Sequence, residues 1–376
     1  MNRMNLALIL QHPAPYRDDF ARLLCKETDL NVEVYSLFPS DTAHDFTRDE
    51  GGMTSDQFRT IAMRSDPGIK ILVRLLRDFV FAKEFDFIMW PGYNKWYVRV
   101  ALFLCALLRR KYGFTADTAK QKPMNKLLFA IKRYFVQRAS IISVVGNAGR
   151  RVFEDDFKVE SSKIVEGAYS LDVEGIEKKI RSLRDRARAK IRRDMGLANA
   201  DMLFLMVANM IPSRHYPITS KAFVEFSKTN SNAYYLMVGK GPDTNALIAA
   251  AKENPCLKVI PGCSFEEMLS LYAAADVYVH GGTEPASTAL VIGAIAHLPL
   301  ISSPAVGCFY DVVRDRDSGI AVKDYLSVAE WSHAFSGAAA NQDRWEDMGA
   351  QARALASKFD VRKVVRDFMS ALQLAV

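Results

Sequence analysis

The sequence predicts an α/β protein made of two doubly wound parallel-sheet domains. Three observations predict it: a length of 376 residues, an alternation of short β-rich runs with helical segments that begins twice, and a highly charged stretch between the two alternations. At about 100 to 200 residues per domain the chain holds two. With 49% of its residues hydrophobic and 25% charged, it has the balance of a soluble globular chain, which excludes long disorder.

The first set of strands is expected at residues 6–10, 32–38, 87–90, 141–145 and 164–169, with YGFTA strand-like ahead of Asp117. Each is a short run of β-branched, aromatic or aliphatic residues separated from the next by a segment of helical period. The second set is expected at 202–208, 234–238, 257–260, 277–279 and 300–302. Continuous apolar strands of this kind belong to parallel sheets covered on both faces. Residues 172–196, which include EKKIRSLRDRARAKIRRDMG, read as an exposed helix leading into a new domain. The boundaries are therefore set at 1–178 and 179–358.

The longest near-continuous apolar stretch, residues 100–108, is bracketed by Arg99 and Arg109 and is far shorter than the roughly 20 residues that cross a bilayer. The opening MNRMNLALILQHPAPYR is too short in its apolar run for a signal peptide, so the cytoplasm is expected. Five scattered cysteines without a C-x-x-C pair indicate neither a disulfide framework nor a zinc site. No two of the six histidines stand as H-x-x-x-H, and no metal site is expected.

The net charge of +7 is uneven, because residues 70–140 hold 15 Lys or Arg against four acids, Asp78, Glu84, Asp86 and Asp117. A local excess of this size attracts a nucleic acid, an anionic membrane surface or an acidic acceptor. Within it, IKILVRLLRDFVF and NKLLFAIKRYFV are apolar on one side and basic on the other. Such faces serve as domain core or lie on an anionic leaflet. No nucleic-acid module accompanies the charge, so nucleic acid is set aside.

Doubly wound folds bind ligands at the carboxyl ends of their strands, and the informative motifs follow strands. After YYLMV comes Gly239-Lys240-Gly241-Pro242, a turn that lets a ligand approach the backbone, with proline expected to open the next helix. After MLFLMVA comes Asn209 to Arg214, where a cation and free amides suit a diphosphate; a solvated loop cation is the plainer reading of Arg214. After VYV comes a small-residue loop with Glu284, then a helix expected to start near Pro285 with Ser287 and Thr288 in its first turn. A carboxylate beside an anion site is costly unless it accepts hydroxyl hydrogen bonds, which suggests a sugar next to a phosphate. Glu284 also reads as an acid favoured at a helix start.

These segments, with PAPYR at 13–17, VGKGP at 238–242, YAAADVYV at 272–279 and TEP at 283–285 ahead of HLPLISS, resemble glycosyltransferase family 4 over nearly the whole chain. That family is the retaining, GT-B-fold group that uses activated sugar donors. The resemblance implies two Rossmann-like domains facing across a cleft, the first for the acceptor and the second for the nucleotide-sugar donor. It also implies a last helix, about 359–376, packing back on the first domain through Val364, Val365, Phe368, Met369 and Leu372. Arg214 then contacts the donor diphosphate, with Asn209 where many members have a second basic residue. Glu284 matches the first acid of E-x7-E and contacts donor-sugar hydroxyls. Ser287 and Thr288 fall in the phosphate-binding turn, Gly239 and Lys240 in the glycine turn, and Gly262 and Cys263 beside the nucleotide base. In the first domain His12 is a candidate base, and Tyr16, Arg17 and Asp117 are candidates for the acceptor.

Three departures stand out. Ile292 occupies the place of the second acid, and His297 and Ser287 replace glycines. A missing hydroxyl partner weakens binding by roughly 1–3 kcal/mol. The expected activity is retaining, metal-independent transfer from a nucleotide sugar such as a UDP-sugar to a glycan or lipid-linked glycan, with no cofactor. The setting is cell-surface polysaccharide or glycolipid synthesis, with residues 70–140 meeting the inner face of the membrane. The alternative is a catalytically degenerate GT-B protein that binds a sugar or a partner.

Overall fold

A computed structural model describes residues 3–12, 14–27, 29–39, 59–121 and 123–375, with Pro15 and Tyr16 described by backbone alone. The chain divides into two units, Met1–Asp172 with Phe359–Val376, and Val173–Lys358.

Unit 1 contains β1 (Met4–Leu10), α1 (Pro15–Leu24), β2 (Leu30–Ser36), β3 (Arg59–Thr60), α2 (Gly68–Leu75), β4 (Phe87–Trp90), α3 (Trp96–Leu107), β5 (Tyr112–Ala116), α4 (Lys126–Arg138), β6 (Ile141–Val144), α5 (Gly146–Arg151) and β7 (Ile164–Glu166). The strands form one parallel sheet in the order β3-β2-β1-β4-β5-β6-β7. The two-residue β3 on the sheet edge is absent from the expected strands, because it lacks the length that a periodicity reading needs. The strand expected to run to residue 169 stops at Glu166. There Gly167 backs onto Val364, where a Cβ would stand 2.3 Å from a methyl carbon.

Unit 2 contains α6 (Val173–Met195), β8 (Met202–Val207), α7 (Tyr216–Ser227), β9 (Ala233–Val238), α8 (Thr244–Glu253), β10 (Leu257–Ile260), α9 (Phe265–Ala274), β11 (Val277–His280), α10 (Thr288–Ile295), β12 (Leu300–Ser302), α11 (Phe309–Val312), β13 (Gly319–Ala321), α12 (Val328–Ala339) and α13 (Trp345–Ala356). Its parallel sheet has the order β10-β9-β8-β11-β12-β13. The division falls at the first residue of α6 instead of inside that helix, because Val173, Ile176 and Ile180 are buried with the unit that follows. Nor is α6 merely exposed. Fully buried Arg192 pairs with Asp276 at 2.6 Å and donates to the carbonyls of Ala198 and Asp201, so part of the charge run lies inside the unit.

The last helix, α14 (Val361–Ala375), belongs to unit 1. Its face of Val365, Phe368 and Leu372 packs with Leu6, Leu8 and Leu10 of β1, and Phe368 meets Phe20 edge-on at 5.6 Å. Val364 is also buried, and Met369 packs half-buried at the margin. In unit 2 the corresponding anchor is aromatic. Phe204, Phe223, Phe226 and Tyr235 surround Phe335 at ring separations of 5.0 to 5.9 Å.

Both sheets reverse strand order beside their first strand, between β1 and β4 and between β8 and β11. Loops leaving adjacent strands at such a reversal diverge and open a crevice at their carboxyl ends. Among the described residues, no helix is long and apolar enough to cross a membrane.

Candidate functional site

Leaving β8, the chain makes one tight helical turn, Pro212–Arg214, before α7. His215, between them, is left-handed with φ +54, a conformation that costs about 1 kcal/mol or more for a non-glycine residue. Its Nδ1 lies 2.8 Å from the carbonyl of Gly281, which can only accept, so that nitrogen carries the proton. The loop after β11 is tied to the same turn, since the amide of Thr283 donates to the carbonyl of Ser213 at 3.2 Å. Two segments some seventy residues apart are thereby clamped together at the β8/β11 reversal.

Glu284 sits in this clamp. Its Oε1 is 2.8 Å from Nε2 of fully buried His280, and its Oε2 is 2.9 Å from Nη1 of Arg214. The Glu284 side chain is 10% exposed and that of Arg214 19%. The Arg214 contact is ionic but out of hydrogen-bond alignment, and Oε2 is buried without a hydrogen-bond donor. Burial pushes the Glu284 carboxyl up, but His280 and Arg214 outweigh it and hold the group below its ordinary range. An ionised carboxylate with one unsatisfied oxygen, beside a guanidinium, is equipped to accept a hydroxyl hydrogen bond next to an anion.

The glycine turn after β9 meets the β8 loop directly. A Cβ on Gly239 would lie 1.9 Å from the Ala208 carbonyl, and one on Gly241 2.2 Å from that of Met210. Close backbone approach therefore accounts for both glycines. Pro242 lies in the turn and does not open the helix, which begins at Thr244, where Oγ1 accepts from the Gly241 amide at 2.9 Å. The Lys240 stem runs over Gly262, whose Cβ would lie 2.4 Å from Lys240 Cε, and exposed Cys263 follows. Asn209 is half-buried in the β8 loop, whose Met210 amide donates to the Lys240 carbonyl at 2.9 Å.

The helix expected near Pro285 starts at Thr288, which is half-buried. Ser287 caps it, accepting from the Leu290 amide at 3.2 Å, while its own amide donates to Cys308 Sγ. Its hydroxyl is thus engaged by the helix start itself. Ile292 is buried inside α10 and supplies packing where an acid would supply a hydroxyl contact. His297 takes the left-handed conformation that glycine would take, with φ +60. Its Nε2 is 2.8 Å from Glu177, so this departure ties the turn after α10 to α6, and Glu177 also pairs with Arg353 of α13.

In unit 1, Arg17 Nη1 donates to His12 Nε2 at 3.0 Å and to the His12 carbonyl at 3.2 Å, so the structure brings these two residues together. Asp117 is exposed after β5 and accepts from Asn94 at 3.3 Å. Tyr16 lies in α1, and its side chain is outside the described residues.

Large apolar residues are exposed on three neighbouring elements of unit 1: Ile69 and Val73 of α2, Trp96 and Leu107 of α3, and Leu127 and Leu128 of α4. Exposed Lys95, Arg99, Lys126 and Arg133 lie on or beside the same helices. One charge of the basic segment is withdrawn: Lys132 is buried, bonded to Gln121, with Nζ 4.3 Å from the Tyr93 ring centroid. Burial, then Arg99, pushes its amine down to about 8.

Sequence reading missed His280, Tyr278 and His215. The one trace in the sequence, a histidine closing an apolar strand just before Gly-Gly, reads as core until its neighbour is known. Among the described residues, no group of three or more His, Cys, Asp or Glu could hold a metal ion.

Comparison with known proteins bears on both units. Residues 187–355, within unit 2, match the family model described as glycosyl transferases group 1. The chain is 26% identical over 111 residues to alpha-monoglucosyldiacylglycerol synthase of Acholeplasma laidlawii, a match spanning 28% of each chain. Among solved structures, the Anabaena Alr3699/HepE complex with UDP superposes with a TM-score of 0.72 at 13% identity, covering 99% of this chain and 100% of that one. A glycosyltransferase from Rickettsia africae gives 0.73 at 13% identity, covering 100% and 99%. WaaG, a glycosyltransferase involved in lipopolysaccharide biosynthesis, gives 0.66 at 15%, covering 98% and 99%. The fold is that of the GT-B glycosyltransferases.

Proposed function

We propose that the protein transfers a sugar from a UDP-sugar to a hydroxyl of a glycan or lipid-linked glycan, with retention of configuration, at an anionic membrane surface. The observation that carries this reading is the meeting of Arg214 and Glu284 at the β8/β11 reversal, with Glu284 Oε2 lacking a hydrogen-bond donor. A donor diphosphate would draw the Arg214 guanidinium, and a sugar hydroxyl would donate to Oε2. The choice of UDP is supported by the nucleotide bound in the Anabaena structure.

In this reading Arg214 and loop amides neutralise the departing diphosphate without a metal ion. No side chain is assigned as nucleophile. The acceptor hydroxyl attacks the face that the leaving group vacates, and positioning supplies much of the acceleration. His12, Arg17 and Asp117 are the acceptor-side groups of unit 1. A lipid-linked acceptor is supported by the apolar and basic helices of unit 1 and by the match to a glucosyldiacylglycerol synthase.

Thermal shifts with UDP and UDP-glucose, on wild type and Glu284→Ala, test the donor site. UDP should stabilise both proteins, and UDP-glucose should stabilise wild type further but not the variant. Equal shifts in both would remove Glu284 from the site. Absence of any nucleotide shift and of UDP-glucose hydrolysis would favour the non-catalytic binding module, the reading that buried Ile292 supports.

A further inference from the structure

We infer that His280 is the positioning residue for the donor-sugar contact: it pins Glu284 through Oε1, so that Oε2, buried against Arg214, is the oxygen left to accept from a sugar hydroxyl once a diphosphate draws Arg214 away. This rests on the reading of Glu284 as the group that holds the donor sugar.

His280 closes β11 and has no exposed surface. Both ring nitrogens have polar neighbours: Nε2 lies 2.8 Å from Glu284 Oε1, and Nδ1 lies 3.3 Å from Tyr278 Oη, which is itself 3.2 Å from the Val207 carbonyl. An ionised carboxylate only accepts, so Nε2 carries a proton. Tyr278 has one hydroxyl proton. Given to His280 Nδ1, it leaves a neutral imidazole protonated on Nε2; given to Val207, it requires an imidazolium. In both cases Nε2–H points at Glu284.

The ring is fixed on the sheet side as well. It stacks on Tyr278 with planes 17° apart, and the His280 carbonyl accepts from Ser302 Oγ at 3.2 Å. Glu284 is on a loop, and its aim comes from this fixed ring. The loop backbone closes over the pair: a Cβ on Gly282 would lie 2.0 Å from Glu284 Oε2 and 2.8 Å from His280 Nε2.

The titratable and charged groups facing Glu284 are His280 and Tyr278 of β11, Arg214 of the turn after β8, and Cys308 ahead of α11. Burial pushes the Cys308 thiol up to about 12 and the Tyr278 hydroxyl well above its ordinary range. Both stay neutral at working pH. Without His280, burial of Glu284 is opposed only by Arg214 and the residue's own backbone amide, so its carboxyl moves upward and donor-sugar binding that needs the carboxylate fails at a higher pH.

The test uses the full chain with His280→Phe, His280→Gln and His280→Asn, probed with UDP and UDP-glucose. Gln can place an N–H near the position of Nε2, whereas Asn reaches only that of Nδ1. UDP affinity should stay within about twofold in all variants, which reports folding and the diphosphate side. In His280→Phe, kcat for UDP-glucose hydrolysis should fall at least about tenfold, the scale of one hydrogen bond to a charged group, and the acid limb should move to higher pH. Gln should restore most of the loss and Asn little. An unchanged acid limb in His280→Phe, or rescue by Asn equal to that by Gln, would overturn the proposal. Failure of wild type to bind either nucleotide would sink the donor reading instead. His280 is then judged without ligand by its ring ¹⁵N shifts: a protonated Nε2 that responds to Glu284→Gln supports the pinning, and an Nδ1–H tautomer refutes it.

Discussion

The two units share a strand order beside their first strand, yet that position holds different chemistry in each. At β8/β11, Arg214, Glu284 and His280 are mostly or fully buried and bonded in series. At β1, β4 and β5, Arg17 of α1 is bonded back to His12 in the loop before that helix, and Asp117 is exposed beside Asn94. Topology therefore decides where loops meet, and burial decides whether a charge is aimed. A solvated carboxylate can turn to water, whereas a buried one keeps the direction that its partners impose.

The comparison can be broken first at the cores that hold the loops. Phe335→Ala in unit 2 and Phe153→Ala in unit 1 should each cost about 3–5 kcal/mol by denaturant unfolding, because each fully buried ring packs against several other aromatics. A loss below about 1 kcal/mol in either would show that its aromatic cluster is not the anchor. Next, Glu284→Ala should lower kcat/KM for the donor sugar about 100-fold, near 2.7 kcal/mol, read by UDP-glucose hydrolysis.

Substituting the paired cations sharpens the contrast directly. Arg214→Ala should weaken UDP binding about tenfold or more by calorimetry, since a charged hydrogen bond is lost. Arg17→Ala should change it less than about twofold, and equal losses would erase the distinction between the two sites. Glu284 also predicts a pH signature. Its folded-state carboxyl lies below its ordinary value of 4.5, so its stabilising contribution is present above that value and is lost as pH falls through the lower, folded-state one. The stability gap between wild type and Glu284→Gln should be flat above about pH 5 and shrink below it. A gap that widens on acidification would reverse the sign.

The smallest effect on folding belongs to the exposed helices. Leu127→Ser with Leu128→Ser should change stability by less than about 0.5 kcal/mol, while cosedimentation with anionic vesicles falls and that with neutral vesicles stays low. Unchanged anionic-vesicle binding would remove this face from the membrane reading.

Much of the fold was legible because parallel strands buried on both faces must be continuously apolar, as 87–90 and 202–207 are. β3, with two residues on a sheet edge, carries no such pattern. At the site, Arg214 and Glu284 could be picked out as a lone cation and a lone acid after strands. His280 could not, because a histidine ending an apolar strand reads as core until its neighbour is known. The departures were visible as letters but not as roles: Ser287 is a helix cap, and His297 is a left-handed tie to Glu177.

The sequence alone determined most of the longer strands and helices, that the alternation occurs twice, and where charge collects, because these follow from the local order of apolar and polar side chains. The tertiary structure decided that Arg214 meets Glu284, that His280 lies beneath it, and that one carboxylate oxygen is left without a donor. Those facts depend on two loops distant in the chain leaving adjacent strands, and on burial strong enough to make each hydrogen-bond partner count.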